Sequence, residues 1–511
     1  GLNKPASLIL VSGYSGIGKS AVVNEINKPI TRLKGYFISG KFDQFKRNIP
    51  YASFSQAFGS LMRQILTEPT AKIQELREKI LTALESNRQV IVDIIPEVEL
   101  IIGKQSSDKD PINRVPTNPT ESQNRFNRAF KAFIHVFTQR EHPLVIFLDD
   151  LQWADSASLK LMEILATDPE TQYLLFVGAY RDNEVSPTHP LMQTIDEIAK
   201  NGNKEVQNIV LQPLDLANTT LLVSDTLNHA EGVEYLAYLI SQNTAGNPFF
   251  LTQLLQGLYQ EKLLRFDFTP LIPLKLGGIQ GCWRWDLAEI QGMGIADKSV
   301  VELVVRRLQQ LPESTQSVLK LAACIGDNFT LNVLSIVSEQ SSNAIANQLD
   351  PALQMGLIIP LNDDYKIPLV FEEVLSIDKK VDADGITESQ FDTIKSKIAG
   401  VKYKFLHDRV QQAAYSMIPE LDKQQTHLKI GQLLFSHIPE SEIQEHIFEL
   451  VNHLNICADL LDDRAIKLKL AELNLIAGEK SKSATAYETA VKYLNFGLGL
   501  LAEDSWINDY E

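Results

Sequence analysis

The sequence of 511 residues has little cysteine, no long apolar run and no excess of positive charge. Its three cysteines, Cys282, Cys324 and Cys457, are too widely spaced for a disulfide framework or a paired zinc motif, so we expect reduced packing residues. No apolar stretch reaches the ~18 residues of a membrane-spanning helix, and the first residues lack a signal-like core. These absences predict a cytoplasmic protein without membrane contacts.

The charge balance is acidic, with 48 lysines and arginines against 64 acidic residues and a net charge of −16. Such a surface repels nucleic acid and anionic lipid over most of its area. Apolar residues make up 44% and charged residues 22%, as in ordinary folded chains. The length predicts a globular protein of roughly three or four domains.

The first ~210 residues alternate apolar strands with amphipathic helices, a pattern typical of a parallel sheet covered by helices on both faces. The strand candidates are residues 7–12, 35–39, 144–148 and 173–179. They lack period-2 alternation, as expected for strands that are buried on both sides. We therefore predict an α/β domain over 1–214, with a parallel sheet and a polar surface loop at 104–120.

The rest of the chain is mainly helical in pattern. We predict a small helical lid at 215–264 and, at 265–310, either a hairpin or a plain linker. Residues 311–420 show three helices followed by two strand candidates, which predicts a winged helix. The long charged interval 362–400 inside it is predicted to be a mobile insertion. Residues 421–511 are predicted to be helical throughout.

The C-terminal helices show the small and large residue spacing of a tetratricopeptide repeat, carried by Gly478, Ala490, Leu494 and Gly497. An ordinary helical hairpin is an equal alternative. The sequence begins with Gly1 instead of methionine and ends directly after a helical segment. Both features predict a piece of a longer protein.

The stretch GYSGIGKS at residues 13–20 follows the first strand candidate and precedes a predicted helix. Glycines permit a turn whose backbone N–H groups converge on phosphate, the lysine binds the β- and γ-phosphates, and the serine hydroxyl binds Mg²⁺. The alternative is a chance run of small residues. The predicted phosphate-binding residues are Gly13, Tyr14, Ser15, Gly16, Ile17, Gly18, Lys19, Ser20 and Ala21.

The strand candidate at 144–148 is followed by two acids, in the run HPLVIFLDDLQWAD. We expect Asp149 to lie beside the first strand and hold the Mg²⁺ water shell, and Asp150 to orient the attacking water. Neighbouring carboxylates repel each other unless a cation compensates them, which disfavours a purely structural role. Arg181, just past the strand candidate at 173–179, is predicted to contact the γ-phosphate. The alternative is a surface arginine that pairs with Asp182 or Glu184.

The motifs GYSGIGKS, VIFLDDLQWAD, AYRDNE, AGNPFFL and KFLHDRVQQAAYSMIP occur in this order. Together they resemble the STAND class of signalling ATPases, which are AAA+-related P-loop ATPases. The runs GKFDQFKRNIPYASF and HDRVQQAAY are similar to the ATPase module of large bacterial proteins. Those proteins join a Ser/Thr protein kinase, this ATPase and a GAF-linked sensor histidine kinase.

The resemblance implies that the chain binds ATP or ADP with Mg²⁺. It also implies that Pro248 of the GNP motif packs near the adenine and that His407 reaches the β-phosphate of ADP. The alternatives are a proline that starts a helix and a surface histidine. Family members usually carry a Gly-Arg-x-x-Glu segment before the first strand, and it is absent here, so we expect weakened base recognition.

Three functions follow as hypotheses. The favoured one is a slowly hydrolysing ATPase switch inside a multidomain kinase, with protein partners bound through the C-terminal helices and flanking kinase domains, and with nucleotide-dependent homo-oligomers. The second is a non-catalytic, ADP-holding scaffold. A DNA-binding regulator ranks last because the recognition-helix candidate, residues 341–356, has no lysine or arginine. No kinase activity is expected, since the catalytic kinase motifs are absent.

Overall fold

The computed structural model describes residues 6–44, 46–103, 118–202, 206–228, 230–268, 281–292, 300–370 and 388–502. Its internal contacts group into two compact units. The first contains Gly1–Ser15, Lys19–Leu211 and Ile438–Glu511, and the second contains Gly16–Gly18 and Gln212–His437. The finer division into five regions stays a prediction.

The first unit is built on a parallel sheet of five strands in the order β2-β3-β4-β1-β5. The strands are β1 Ser7–Ser12, β2 Tyr36–Lys41, β3 Leu144–Asp149, β4 Leu174–Tyr180 and β5 Gln207–Val210. The four predicted strands are confirmed to within two residues. The expectation that Asp149 lies beside the first strand is wrong, because β4 separates β3 from β1.

The sheet is covered on both faces, as its uninterrupted apolar strands predict. Leu144, Ile146 and Leu148 of β3 belong to one buried cluster. Val145 and Phe147 belong to a second cluster. Because successive side chains of a strand point to opposite faces, these two clusters lie on opposite sides of the sheet.

Nine helices connect the described strands of this sheet or follow them. They are α1 Lys19–Asn24, α2 Asn27–Arg32, α3 Ala52–Ile65, α4 Thr70–Leu84, α5 Arg88–Val92, α6 Glu99–Ile102, α7 Pro119–His135, α8 Ser156–Thr167 and α9 Pro190–Gly202. Asn118 caps α7 by accepting a hydrogen bond from Thr120 N. The predicted loop 104–120 lies outside the described residues up to position 117, and its last two residues are helical instead.

The second unit begins with three helices in the predicted lid, followed by a hairpin. These elements are α10 Leu216–Thr226, α11 Val233–Thr244, α12 Pro248–Gln260, β6 Leu264–Phe268, β7 Gly281–Trp285, α13 Leu287–Gly292 and α14 Val300–Gln309. The two strands pair antiparallel, with Phe266 opposite Trp283. Their rings lie edge to face with centroids 5.1 Å apart, so an aromatic pair stabilises the register.

The remainder of the second unit contains helices around a small antiparallel sheet of order β8-β10-β9. The elements are α15 Glu313–Ile325, β8 Asn328–Thr330, α16 Leu331–Ser338, α17 Ser342–Gln354, β9 Ile358–Pro360, α18 Ile367–Val370, α19 Glu388–Ala399, β10 Lys402–Phe405, α20 Asp408–Ser416 and α21 Glu420–His437. The two predicted wing strands pair directly, but the winged-helix assignment stays a prediction. Residues 371–387 of the predicted insertion lie outside the described residues, and α19 makes its last part helical.

Three C-terminal helices belong to the first unit, namely α22 Ile443–Ile456, α23 Arg464–Ser483 and α24 Tyr487–Leu500. The helical C-terminal region is therefore confirmed. α23 and α24 pack closely at Gly478, where an added Cβ would lie only 2.7 Å from Leu494 Cγ. Tyr493 Oη donates to Asn48 O at 3.1 Å, which ties α24 to the loop before α3. The tetratricopeptide assignment stays a prediction.

The cysteines agree only in part with their predicted packing role. Cys324 and Cys457 are buried, and burial raises their thiol pKa values to about 12 and about 11. Cys282 is exposed on β7, so the packing prediction for it is wrong. None of the helices in the described ranges combines the length and apolar character needed to cross a membrane.

The close approach of β2 to α3 gives a test of the fold. A Cβ at Gly40 would overlap the Ser53 carbonyl group. We predict that Gly40→Ala lowers the free energy of unfolding by about 1–3 kcal/mol, measured by denaturant titration. Gly499→Ala in α24 is the control, because its Cβ meets nothing within 4 Å, and it should leave stability unchanged or raise it slightly. Equal stability of Gly40→Ala and the parent would contradict the packing described here.

Candidate functional site

The turn between β1 and α1 has the backbone conformation that the glycine pattern predicts. Gly13, Gly16 and Gly18 have φ values of 146°, 79° and 102°. Side chains strongly disfavour these angles, so glycine is required for this path of the chain. Within the turn, Tyr14 is exposed, whereas Ser15 and Ile17 are buried.

Lys19 is held over its own loop. Its Nζ atom donates hydrogen bonds to Gly13 O at 2.8 Å and to Tyr14 O at 2.9 Å, and only 7% of the residue is exposed. A buried ammonium group is costly without acceptors, and here the loop carbonyls supply them. The positive charge therefore stands at the turn whose N–H groups are predicted to receive phosphate.

Ser20 and Asp149 meet at the carboxyl edge of the sheet. Ser20 Oγ donates to Asp149 Oδ2 at 2.6 Å, and Asp150 N donates to Asp149 Oδ1 at 3.0 Å. A hydroxyl and a carboxylate are the hard oxygen donors that Mg²⁺ prefers. The two predicted metal ligands thus lie together, and their chemistry fits Mg²⁺.

Asp150 occupies a left-handed backbone conformation, with φ 56° and ψ 45°, and is only 6% exposed. Its Oδ1 atom accepts from Gln152 Nε2 at 2.8 Å and lies 3.3 Å from Arg181 Nε. Its Oδ2 atom lies 3.8 Å from Lys41 Nζ. Asp150 is therefore surrounded by donors and cations that compensate its own negative charge beside Asp149.

Arg181 follows β4 as predicted but is not a surface residue, since only 3% of it is exposed. One guanidinium nitrogen lies 2.8 Å from Glu184 Oε1, and the group stacks over Trp153 at 4.5 Å. Its Nε faces Asp150. The predicted pairing with Glu184 is present, while contact with a γ-phosphate stays a prediction.

Asp155 follows the acidic pair along the chain and caps α8. Its carboxylate accepts hydrogen bonds from Ser158 N at 2.9 Å and from Ser158 Oγ at 2.6 Å. Burial raises its pKa, although these hydrogen bonds oppose the rise. It therefore fixes the start of α8 directly after the acidic pair, and we assign it a structural role.

The second unit brings Pro248 and His407 into one neighbourhood. Asn247 caps α12 with Pro248 in its first position, and Phe249 N donates to Gly16 O at 3.2 Å. The His407 ring stacks on Phe249 with centroids 4.1 Å apart. His407 Nδ1 also accepts from Arg409 N at 3.1 Å, so the histidine caps α20. Phe249 thus contacts both His407 and Gly16 within the second unit.

Four residues of this site were not predicted from the sequence, namely Lys41, Gln152, Asn247 and Phe249. Lys41 could have been found, because it ends a strand whose carboxyl edge is shared with β3. Gln152 lies inside the acidic motif, but nothing in its spacing indicates that its amide faces Asp150. The contact of Phe249 with Gly16 joins residues 233 positions apart, which no local pattern reports.

Residues 2–177 match the family model described as the AAA ATPase domain. This part of the chain contains the glycine-rich turn, Lys19, Ser20 and both acids. The predicted AAA-related P-loop ATPase is therefore confirmed for this region.

Two curated relatives are much longer than this chain. Hybrid signal transduction histidine kinase G of Dictyostelium discoideum is 29% identical, and the match covers 97% of this chain and 16% of the relative. Histidine protein kinase 1 of Candida albicans is 22% identical, with coverage of 79% and 18%. The chain therefore spans less than a fifth of either relative.

Solved structures give a weaker likeness. A STAND protein with a tetratricopeptide repeat sensor from Pyrococcus horikoshii is 12% identical, with a TM-score of 0.40 over 99% of this chain and 59% of the other. A Walker-type ATPase of Pyrococcus abyssi is also 12% identical, with a TM-score of 0.29 over 81% and 91%.

The position of Lys19 generates a prediction for nucleotide affinity. We expect Lys19→Ala to weaken binding of MgATP by roughly tenfold to hundredfold, because a charged hydrogen bond to phosphate is lost. Isothermal titration calorimetry on folded protein measures the change. Lys28→Ala is the matched control, since Lys28 is exposed on α2 and pairs with Glu25. Parent-like affinity in Lys19→Ala would remove the lysine from the phosphate site.

Proposed function

We propose that this chain is the ATPase module of a larger signalling protein, of the STAND class, that binds ATP, hydrolyses it slowly and uses its nucleotide state as a switch. The observation that carries the proposal is the pairing of Ser20 with Asp149, 2.6 Å apart, beside Lys19 in the glycine-rich turn. A hydroxyl, a carboxylate and an ammonium group in this arrangement suit a metal-bound polyphosphate.

The chemistry follows from the placement of these groups. The N–H groups of the turn and the Lys19 ammonium group bind phosphate oxygens. Ser20 and Asp149 would hold Mg²⁺, which when bound neutralises charge on the phosphates. Asp150 directly follows Asp149. Its carboxylate orients the attacking water by accepting a hydrogen bond from that water.

Slow turnover is supported by the contacts of Asp150. Arg181 Nε lies 3.3 Å from one carboxylate oxygen, and Lys41 Nζ lies 3.8 Å from the other. A water molecule has to compete with these two cations for the carboxylate, and this competition reduces the rate at which the group can activate water.

The switch itself is proposed to act through Phe249 and His407. Phe249 N binds the carbonyl of Gly16, and the His407 ring stacks on the same phenylalanine. In related switch ATPases a histidine at this position of the motif reaches the β-phosphate of ADP. We infer that ADP is retained through His407 and Pro248, and that exchange for ATP loosens these contacts.

The surrounding protein is inferred from the lengths and names of the relatives, which are histidine kinases. We propose that kinase domains flank this module and that the phosphotransfer activity resides in them. The C-terminal helices are proposed to bind a protein partner, because α24 exposes Val491 and Leu498 on one face, at about half of their surface. Nucleotide-dependent assembly of several copies belongs to the same proposal.

A second candidate is a non-catalytic scaffold that holds ADP and recruits proteins. It is favoured by one observation, the burial of Asp150 among cationic partners. Stoichiometric ADP in purified protein with no phosphate release, even with a partner present, would favour the scaffold. A DNA-binding regulator is the least supported function, because α17, the recognition-helix candidate, contains no lysine or arginine.

The role of Asp150 is tested by Asp150→Asn. We predict that this variant binds MgATP within about threefold of the parent, while phosphate release falls by about a hundredfold, because the amide is a poor acceptor for the water proton. Calorimetry measures binding and a phosphate-release assay measures turnover. Asp422→Asn, at an exposed position of α21, serves as the control. Normal turnover in Asp150→Asn would exclude the aspartate from the mechanism.

The role of His407 is tested by His407→Asn, which preserves a side chain able to cap α20. We predict that ADP dissociates about tenfold faster, because the imidazole contact with phosphate is lost. Stopped-flow displacement of a fluorescent ADP analogue measures the rate. His437→Asn, at an exposed position, is the matched control. An unchanged release rate in His407→Asn would contradict the proposed switch.

A further inference from the structure

Gln152 is a buried amide beside the acidic pair, and only 4% of it is exposed. It lies in a single 3₁₀ turn, Leu151–Trp153. Its Nε2 atom donates to Asp150 Oδ1 at 2.8 Å, and its Oε1 atom accepts from Arg181 N at 3.2 Å. Both ends of the amide are therefore engaged, one with the end of β3 and one with the end of β4.

The two contacts define the orientation of the amide. Rotation by 180° would place the carbonyl oxygen against Asp150 Oδ1 and the NH₂ group against Arg181 N, so both hydrogen bonds would be lost at once. An amide in a buried site cannot exchange these bonds for water without cost. Gln152 is consequently held in one orientation, and it holds the carboxylate of Asp150 in turn.

The other partners of Asp150 constrain it less directly. Arg181 Nε is 3.3 Å from Oδ1 and its guanidinium group also contacts Glu184 and Trp153. Lys41 Nζ is 3.8 Å from Oδ2, on a long flexible stem. Of these three contacts, the hydrogen bond from the Gln152 amide is the shortest.

We propose that Gln152 is a positioning residue, which sets the direction of the Asp150 carboxylate for hydrolysis and couples it to the strand that carries Arg181. This inference rests on the proposed ATPase function. Gln152 does not touch the predicted phosphate-binding residues in any contact described above. Its loss should therefore reduce turnover and leave nucleotide affinity intact.

The first test is Gln152→Glu, which keeps the size of the side chain but replaces the donor by a second carboxylate facing Asp150. We expect kcat to fall by about tenfold to hundredfold, since misorientation of a reacting group costs rates of this order. The Kd for MgATP, measured by calorimetry, should stay within about threefold of the parent. Gln152→Ala, which adds no charge, should lower kcat in the same direction.

The matched control is Gln89→Glu. Gln89 Nε2 also donates a hydrogen bond to an aspartate, Asp93 Oδ1, at 2.7 Å. This pair is exposed, with Gln89 in α5 and Asp93 directly after the helix. The variant introduces the same charge into the same type of pair. Parent-like kcat in Gln89→Glu, beside reduced kcat in Gln152→Glu, would support a positional effect of Gln152.

The double variant Asp150→Asn with Gln152→Glu separates positioning from folding. It can re-form the hydrogen bond in the opposite direction, so we expect its melting temperature to recover from that of Gln152→Glu. Its kcat should equal that of Asp150→Asn alone, because a residue acting through Asp150 adds nothing once the carboxylate is gone.

Two results would overturn the inference. One is parent-like kcat in well-folded Gln152→Ala. The other is a loss of MgATP affinity in the single variants that accounts for the whole fall in kcat/KM. Failure of the ATPase function itself is distinguishable, because the parent protein would then show no phosphate release, whether or not it binds nucleotide.

Discussion

The contact between the Ser20 hydroxyl and the Asp149 carboxylate is the interaction on which the site depends. It joins the turn after β1 to the end of β3 at 2.6 Å, although β4 lies between the two strands. All strands of the sheet run parallel, so their carboxyl ends share one edge and residues from non-adjacent strands can meet there. The apolar clusters on both faces stabilise this edge of the sheet, and so fix the positions of the two oxygens that are predicted to bind Mg²⁺.

Placing a second carboxylate next to the first creates an electrostatic problem that the surroundings solve. Asp149 and Asp150 are adjacent, and Asp150 is buried, so its charge would be unfavourable without partners. β2 places Lys41 opposite Asp149 in the register, and β4 delivers Arg181 from the other side. The strands that flank β3 therefore supply the cations, and the same strand order that separates β3 from β1 makes this compensation possible.

The sequence predicted those parts of the molecule whose signals are local. Four strands followed from apolar runs, and the glycine-rich turn followed from its spacing. β5 was missed, because its short run of Gln207–Val210 is exposed and half polar. The strand order was missed as well, since periodicity carries no information on neighbours. Gln152 and Phe249 depend on contacts between distant segments, and their roles become visible only when β4 and α12 are in place.

Gly16 illustrates why the nucleotide turn cannot be understood from its phosphate-binding motif alone. Its φ of 79° is explained by the turn, but a Cβ there would also lie 2.9 Å from Asn247 Oδ1 and from Phe249 Cβ. The absence of a side chain at Gly16 thus permits the path of the loop and also leaves room for Asn247, the residue that caps α12. Gly16 O also accepts a hydrogen bond from Phe249 N, and the Phe249 ring stacks on His407. The packing around Gly16 therefore leaves no room for even one methyl group.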